Sequence, residues 1–424
     1  MNSSKSNVVL VTVDCMRRDR ISAYGYARTT TPFLDSLLPK ALHASSAHAT
    51  SSWTCPSVAS LLTGLYPSRH GAGWLPGPVK RLERDQLPSA LGVDVIALPQ
   101  RFPGHVSAAF TAVPFATMPV EDRFDHVQVR ARSGDALVRD ALHWMKAQER
   151  PFVCWVHLGD VHDPLDVPSD LRDVFGHVDR YRDARRWRFT RIEEDLDDAA
   201  FTAYRTDRTR LYDAAILGAD RAIGVLWRAL KERDEDDTVL VVSADHGEEL
   251  WEHRAEEASE FLDPRGVAGV GHGHNLFQVH LLVPLIVSGP GVPERQIAAN
   301  SSLVDVVPTL LDLLDAPPAE DLDGVSLVGP EAEVIDRPVF AEAVAYGYEK
   351  RSIIASDEKV LVSTGDRYGR AFLLGPDRTE ERGAPADVFA RLAPALSVAA
   401  PVVGPSVAAN DEIVEHLRGL GYLE

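Results

Sequence analysis

The stretch VVLVTVD, residues 8–14, decides the fold of this chain. Val8 to Val13 form a continuous apolar run rich in β-branched residues, which is typical of a strand buried in a parallel sheet. Asp14 follows directly after this run. Because ligands of open α/β sheets gather beyond the carboxyl ends of the strands, we predict that Asp14 lies at a binding site.

Two later segments repeat this pattern, Phe152 to Leu158 and Thr238 to Val242. Each is a short apolar run that ends at a group of polar residues. The polar residues at or after the ends of these runs are His157, Asp160, His162, Asp245 and His246. Three predicted strands therefore deliver candidate functional side chains to one edge of a sheet.

Helical patterns lie between and after the predicted strands, and a further strand is predicted over Leu282–Val287. The predicted helices span Pro32–Leu38, Val58–Leu65, Asp135–Gln148, Arg208–Lys231 and Leu303–Leu314. Alternation of strands and helices predicts an α/β fold with a mostly parallel sheet between two helical layers. We expect this three-layer α/β/α sandwich to occupy residues 1–335.

The pattern changes after Asp336, where short strands are separated by turns. These predicted strands span Ser352–Ala355, Lys359–Val362 and Ala371–Leu374, and helices rich in Ala and Leu follow them. Such an arrangement indicates a smaller C-terminal α+β subdomain over residues 336–424.

The composition limits the classes of partner. The chain has 424 residues, 63 of them acidic and 44 basic, and a formal charge of −19. This balance argues against nucleic acid or an anionic membrane as a partner, because both are bound through clustered Lys and Arg. Three cysteines without CxxC spacing and an N-terminal apolar run too short for a signal peptide favour a cytoplasmic protein.

Three segments are candidates for contact with the leaving group of a substrate, but none of them contains a motif that indicates which substrate it binds. They are Gly73–Gln86, Asp179–Arg210 and Trp251–Gly269. The second is dense in Arg, Asp and Glu, which predicts a solvated helical insertion with a charged, exposed face.

Two short motifs indicate the chemistry. Asp245-His246-Gly247-Glu248 follows a predicted strand and can place a carboxylate and an imidazole beside one metal ion. Thr54-Cys55-Pro56-Ser57 opens a predicted helix and supplies a hydroxyl group. A helix N-terminus offers free backbone N–H groups and partial positive charge, which suits a phosphate or sulfate group.

Taken together, these segments resemble the sulfatase branch of the alkaline-phosphatase superfamily. The matching pieces are VTVDCMRRDRISAYGY (11–26), WTCPSVASLLTGLYPSRHG (53–71), DVHDPL (160–165), SADHGEE (243–249), GVGHGHNLF (269–277) and LRGLGYL (417–423). They occur in family order across nearly the whole chain, so the resemblance covers both the fold and the site.

The register of the nucleophile follows from this resemblance. Formylglycine-dependent sulfatases carry Cys-x-Pro-x-Arg before a stretch similar to ASLLTG, residues 59–64 here. Anchored on Pro56, that pattern places the nucleophile at Thr54 and its arginine at Val58. Cys55 stands directly before the proline and is one position out of register.

A threonine at this position favours phosphorus esters over sulfate esters. It cannot become the aldehyde hydrate on which sulfatases depend, whereas threonine nucleophiles occur in the phosphatase, phosphodiesterase and phosphotransferase relatives. The resemblance therefore implies a hydrolase that cleaves a small anionic phosphate or phosphonate ester through a phosphothreonine on Thr54. Three alternatives stay open: a sulfatase that uses Cys55 or no formylglycine, a transferase of the phospho-group, and an inactive binding homologue.

By the same resemblance, Asp14, Asp245 and His246 are ligands of a divalent metal that also contacts Thr54. Mixed carboxylate and imidazole ligation suits Zn²⁺ or Mn²⁺ better than Ca²⁺, and both Ca²⁺ and Mg²⁺ stay open as alternatives. In the Ca²⁺ sulfatases a second Asp follows the first, and Cys15 occupies that position here.

His162 and His272 match positions where relatives hold the transferred group, protonate the leaving oxygen or bind a second metal. Asp160 and Arg17 are further candidates for a second metal or for substrate contact. We expect one metal site, with a second site as the alternative. A structural role in the first loop, through Asp19, is the other interpretation of Arg17, and the oligomeric state is not indicated.

Overall fold

The computed structural model describes most of the chain. The described residues are 6–75, 87–130, 133–194, 196–232, 237–260, 263–329, 332, 337–363, 365–380, 382–397, 401–407 and 411–419. The predicted domain boundary between residues 335 and 336 and most of the Gly73–Gln86 segment lie outside these ranges, as does the end of the LRGLGYL motif.

The strands are numbered in chain order. They are β1 (Asn7–Val13), β2 (Leu42–Ala44), β3 (Ala47–His48), β4 (Val106–Thr111), β5 (His126–Val129), β6 (Phe152–Leu158), β7 (Thr238–Ala244), β8 (Glu249–Leu250), β9 (Val270–Gly271), β10 (Leu282–Val283), β11 (Leu285–Ser288), β12 (Arg295–Ile297), β13 (Ser301–Ser302), β14 (Val339–Ala341), β15 (Arg351–Ala355), β16 (Glu358–Ser363), β17 (Tyr368–Leu373) and β18 (Arg382–Gly383).

The helices are numbered in the same way. They are α1 (Pro32–Leu37), α2 (Thr54–Thr63), α3 (Pro67–His70), α4 (Pro114–Thr117), α5 (Gly134–Lys146), α6 (Tyr181–Ala184), α7 (Ala199–Lys231), α8 (Arg254–Glu260), α9 (Gln278–Leu281), α10 (Val306–Leu313), α11 (Ala386–Leu392) and α12 (Asp411–Gly419).

A large sheet organises the main body of the fold. Its order over the described residues is β12-β2-β11-β7-β1-β6-β4-β5. The predicted strand at the N-terminus is its central member, since β1 pairs in parallel with both β6 and β7. Val8 to Val13 are all buried, which explains the unbroken apolar run.

Helices cover this sheet in two groups. One contains α1, α5 and α7, and α5 also packs on β4 and β6; the other contains α2, α3, α4 and α10. The packing face of α5 is an apolar stripe at helical spacing that includes Leu137, Ala141 and Met145. These groups and the sheet confirm the α/β sandwich predicted from the alternation of elements.

Two expectations about this part of the fold need correction. The strands β4 and β5 were not predicted, and β4 extends the parallel sheet beyond β6. Helix α7 begins at Ala199, nine residues before the predicted start, and the Asp198 side chain accepts a hydrogen bond from the Ala200 N–H at its first turn. Phe201 and Tyr204 are buried against Trp251, so the predicted exposed face is wrong there.

The C-terminal strands form a separate antiparallel sheet in the order β14-β15-β16-β17-β18. Helix α11 packs on β16 and β17, and Ile353, Val360 and Val388 belong to a small core of their own. The chain then returns to the main body, where Val414 and Leu417 join the main core. The division at residue 335 stays a prediction.

Candidate metal and ester site

The carboxyl ends of the three central parallel strands lie side by side. Val13 pairs with Leu158 of β6 and with Ala244 of β7, so the next residues of all three strands share one edge. The Asp14 N–H donates to the Leu158 carbonyl over 2.8 Å and fixes the turn after β1. This register brings Asp14, Asp245 and His246 together although they are far apart in sequence.

Asp14, Asp245 and His246 form a fully buried group of ligand atoms that could hold a metal ion. His246 Nε2 lies 3.6 Å from Asp14 Oδ1 and 3.4 Å from Asp245 Oδ2. Among the described residues, neither Asp14 oxygen nor Asp245 Oδ2 has a hydrogen-bond partner. Unpaired buried carboxylates are costly unless a cation compensates them, so these three side chains fit a divalent metal.

Thr54 is the first residue of α2, and its side chain reaches this group. Its Oγ1 lies 3.3 Å from His246 Nε2, and the residue is 1% exposed. Ser57, one turn further along α2, donates from its Oγ to the Asp245 carbonyl over 2.5 Å and ties the helix to the end of β7. The free N–H groups of the first turn favour a bound anion beside the Thr54 hydroxyl.

Cys55 points elsewhere. It packs in a small apolar cluster with Trp53, Ala345 and Tyr346, and burial raises the pKa of its thiol. It belongs to neither of the groups of ligand atoms found among the described residues. The geometry therefore distinguishes the two candidate nucleophiles by their surroundings.

Gly247 explains why glycine follows the Asp-His pair. A Cβ at this position would lie 1.9 Å from the Val279 carbonyl oxygen, and the Gly247 N–H donates to the His280 carbonyl over 2.7 Å. The backbone after His246 therefore runs against α9 with no space for a side chain.

Cys15, next to Asp14, has a left-handed backbone with φ of 50°. Two hydrogen bonds hold it: its N–H donates to Asp245 Oδ1 over 3.3 Å, and the Tyr212 hydroxyl donates to its carbonyl over 2.5 Å. Strained non-glycine backbone of this kind concentrates at functional sites. The loop after β1 is thus fixed from β7 and from α7.

A second group of ligand-type side chains, Cys15, Glu248 and His272, adjoins the first. Its members bond to one another: Glu248 lies 3.0 Å from His272 Nδ1 through Oε1 and 3.5 Å from the Cys15 thiol through Oε2. Burial lowers the pKa of His272, and this outweighs the opposing effect of the Glu248 carboxylate. Glu248 therefore orients the His272 imidazole by a direct hydrogen bond.

His162 is the third imidazole near this group, next to His272. Its ring centroid lies 5.3 Å from that of His272, which in turn lies 4.5 Å from that of His246. Burial disfavours the charged form of His162, but the carboxylates of Asp14 and Glu248 raise its pKa overall. Its Nδ1 donates to the Asp163 carbonyl over 2.6 Å, so the tautomer is set by the backbone.

Asp160 and Arg17, the other candidates, are occupied by structural contacts. Asp160 Oδ1 accepts the Gly134 N–H at the start of α5 over 3.0 Å, and burial raises its pKa to about 6. Arg17 is 3% exposed and binds both Asp19 oxygens and Glu252 Oε1. The structure thus brings Thr54, His162 and His272 to the metal group but not the Asp160 carboxylate.

Sequence reasoning assigned no catalytic or metal-binding role to two residues of the site, Glu248 and His157. Glu248 was visible within the SADHGEE motif as a carboxylate two residues after His246. His157 was visible at the end of β6, but a buried histidine on a strand is more often structural. The structure places His157 Nε2 3.7 Å from Asp14 Oδ2.

Several known proteins are similar to this chain in sequence. The sulfatase family model matches residues 6–316. Arylsulfatase K of Gallus gallus is 34% identical over 131 residues, which are 30% of this chain and 22% of that protein. An ulvan-active sulfatase of Formosa agariphila is 24% identical over 368 residues, which cover 79% of this chain and 66% of that protein. The chain thus matches only about a fifth of the length of arylsulfatase K from Gallus gallus and from Canis lupus familiaris.

Solved structures show the same fold. A phosphonate monoester hydrolase of Agrobacterium radiobacter superposes with a TM-score of 0.67 at 20% identity, covering 92% of this chain and 94% of that chain. At this identity the likeness bears on the fold alone. In the described part of the chain, no helix has both the length and the apolar character needed to cross a bilayer.

Proposed function

This chain belongs to the sulfatase family, and we propose that it is a metal-dependent hydrolase of phosphate or phosphonate esters with Thr54 as nucleophile. The observation that carries the proposal is the contrast between neighbours on α2. The Thr54 hydroxyl lies 3.3 Å from His246, whereas Cys55 is enclosed by Trp53, Ala345 and Tyr346. A threonine hydroxyl can form a phosphoester but not the formylglycine of the sulfatases.

The proposed metal site consists of Asp14, Asp245, His246 and the Thr54 hydroxyl. Its two carboxylates and one imidazole favour Zn²⁺ or Mn²⁺. When bound, a divalent ion supplies Lewis acidity, which favours ionisation of a neighbouring hydroxyl and offsets negative charge on the ester. We propose a single metal, because Cys15, Glu248 and His272 satisfy one another by hydrogen bonds.

The chain's own residues then have separable roles. The Thr54 hydroxyl gives up its proton to solvent in the site. The bond from Thr54 Oγ1 to phosphorus then forms while the bond from phosphorus to the alcohol oxygen breaks, and the N-terminus of α2 stabilises the anion. His162 donates the proton that the departing alcohol takes up. Glu248 holds the His272 ring so that Nε2 meets the substrate. Water then hydrolyses the phosphothreonine and restores the Thr54 hydroxyl.

The second candidate is a sulfatase, and the activities for which the relatives are named favour it. Arylsulfatase K and the ulvan-active sulfatase are both named for sulfate esters. This reaction would require formylglycine at Cys55 with a shifted helix register, or a direct attack by Thr54 on sulfur. Mass spectrometry of the peptide that contains both residues distinguishes the first route, since an aldehyde at Cys55 changes the mass.

A parallel rate assay tests the proposal. The substrates are p-nitrophenyl phosphate, bis-p-nitrophenyl phosphate, a phenyl phosphonate ester and p-nitrophenyl sulfate, each with Mn²⁺ or Zn²⁺. We expect phosphorus esters to be cleaved, and Thr54→Ala to lower kcat by about 10³-fold or more. Cys55→Ala is the matched control on the same helix and should stay within about threefold of wild type, since it touches no catalytic group.

Acid quenching during turnover gives an independent readout. A phosphoryl group should appear on the peptide that contains Thr54, and it should be absent from Thr54→Ala. Preference for the sulfate ester together with an inactive Cys55→Ala variant would refute both the nucleophile and the substrate class.

A further inference from the structure

His157 is a fully buried histidine that the reaction described above does not use. It lies in β6 beside Thr12 of β1, and its Nε2 is 3.7 Å from Asp14 Oδ2. Within the described residues, neither of these two atoms has a hydrogen-bond partner. A polar nitrogen buried beside a metal-binding carboxylate needs a physical explanation.

The hydrogen bonds on the other side of the ring determine which nitrogen carries the proton. Trp155 Nε1 donates to Thr12 Oγ1 over 2.9 Å, and Thr12 Oγ1 lies 2.7 Å from His157 Nδ1. An indole N–H can only donate, so the Thr12 oxygen accepts this bond. The Thr12 hydroxyl hydrogen is then available to His157 Nδ1, and no other acceptor for it occurs among the described residues.

With Nδ1 accepting from Thr12, the neutral imidazole carries its proton on Nε2. This N–H is directed at Asp14, and such a nitrogen cannot bind a metal through a lone pair. The geometry is consistent with this assignment, since the group of ligand atoms around the proposed metal contains Asp14, Asp245 and His246 but not His157.

From these contacts we propose that His157 is a positioning residue for the metal site, acting through Asp14. Its Nε2–H faces Asp14 Oδ2 from 3.7 Å and donates to that oxygen once the carboxylate turns to bind the metal through Oδ1, the oxygen nearer His246. Asp14 is 0% exposed, so no bulk water can provide this hydrogen bond instead. Trp155 and Thr12 act one step further away, because they set the tautomer of His157.

This inference rests on the metal site of the proposed function but not on the identity of the ester. Its test is the dissociation constant for Mn²⁺ or Zn²⁺, measured on metal-free protein by competition with a chromophoric chelator. His157→Phe should weaken binding by about 10- to 100-fold, the range seen when a hydrogen bond to a metal ligand is lost. His157→Gln keeps an N–H donor and should recover part of that loss.

Two further variants control the measurement. Thr12→Val removes only the hydroxyl and should weaken binding less than His157→Phe, because the imidazole can then adopt either tautomer. Cys154→Ala is the matched control, since it is a buried position on β6 that faces the opposite side of the sheet. It should leave the dissociation constant unchanged.

Unchanged affinity in His157→Phe, with wild-type unfolding by urea, overturns the proposal. So does a ¹⁵N-histidine spectrum in which His157 loses its Nε2 proton when metal binds, because His157 would then be a ligand. Asp14→Asn separates this failure from that of the proposed function. If it binds metal as tightly as wild type, the metal site itself is misplaced; if it does not, only the role of His157 is in question.

Discussion

Replacing Lys359 by methionine should destabilise the whole protein, because this lysine connects the C-terminal sheet to the site-bearing body. Lys359 lies in β16 and is 0% exposed. Its Nζ donates to the Leu276 carbonyl over 2.5 Å and to Glu380 Oε1 over 2.6 Å. Leu276 lies four residues after His272, so the buried ammonium holds the segment that carries this imidazole.

The size of the expected loss in unfolding free energy depends on Glu380, the carboxylate that stays buried after Lys359 is replaced. Removing one member of a buried ion pair costs about 3–5 kcal/mol, because the other charge stays buried without compensation. Glu380 is 1% exposed at its side chain, but it keeps a bond from the Gln278 N–H of 2.9 Å and lies 3.7 Å from His253 Nε2. We therefore expect the lower end of the range, about 3 kcal/mol.

Urea unfolding at pH 7 measures this free energy, with wild type, Lys359→Met and the exposed control Lys146→Met. The control should stay within about 0.5 kcal/mol of wild type. The double variant Lys359→Met/Glu380→Gln should lose less stability than the two single variants added together. Each single variant leaves one buried charge without its partner, whereas the double variant removes both charges of the pair. A loss below about 1 kcal/mol in Lys359→Met would show that water reaches the pair and would refute the reasoning.

The same network gives a pH dependence of known sign. Burial disfavours the charged form of His253, but Glu249 and Glu380 raise its pKa from 6.5 to about 10. A raised histidine pKa stabilises the fold below pH 6.5, and this contribution is lost as the pH rises from 6.5 towards 10. Glu380→Gln should make that decline shallower in unfolding experiments at pH 7 to 10, and an unchanged slope would contradict the assignment.

Three further predictions concern the site. Gly247→Ala should weaken Mn²⁺ or Zn²⁺ binding by more than about tenfold in a chelator competition, because its Cβ meets the Val279 carbonyl. Glu248→Gln should slow p-nitrophenyl esters and esters of poorly leaving alcohols by a similar factor, because a misoriented His272 holds the substrate less well while His162 still protonates the leaving alcohol; a selective loss on the poorer leaving groups would contradict this role. Asp160→Asn keeps the acceptor for Gly134 and should leave kcat within about threefold and the bound metal at one ion per chain, whereas loss of a second ion would restore the dinuclear alternative.

The sequence was informative where the physics is local. A continuous β-branched run such as Val8 to Val13 can hardly be other than a buried strand, and residues that follow parallel strands must share an edge. Local sequence patterns failed where the bounds of a helix depend on contacts with residues distant in sequence. The start of α7 was placed too late because charged residues surround Phe201 and Tyr204, whose partner Trp251 is distant in sequence.

The site shows the same division between local and distant information. Sequence order places Asp14 and His157 at the ends of neighbouring strands, but the role proposed for His157 depends on Trp155 and Thr12. The contact between Thr12 and His157 joins residues 145 positions apart. No periodicity encodes the direction of an imidazole proton. The register of β1 against β6, in which Thr12 pairs with His157, brings the Thr12 hydroxyl to the His157 imidazole.

The different surroundings of Thr54 and Cys55 depend both on local helix geometry and on contacts with distant residues. Successive residues of an α-helix point about 100° apart, so two neighbours on α2 cannot both face the same metal. Once Ser57 ties the helix to the Asp245 carbonyl, rotation of α2 is fixed and Thr54 alone is directed at His246. A shift that brought Cys55 into that place would have to break the Ser57 bond and move the Trp53 indole from the Ala343 carbonyl, which it now reaches over 2.6 Å. The proposed choice of Thr54 over Cys55 as nucleophile is therefore tied to the packing of the whole helix.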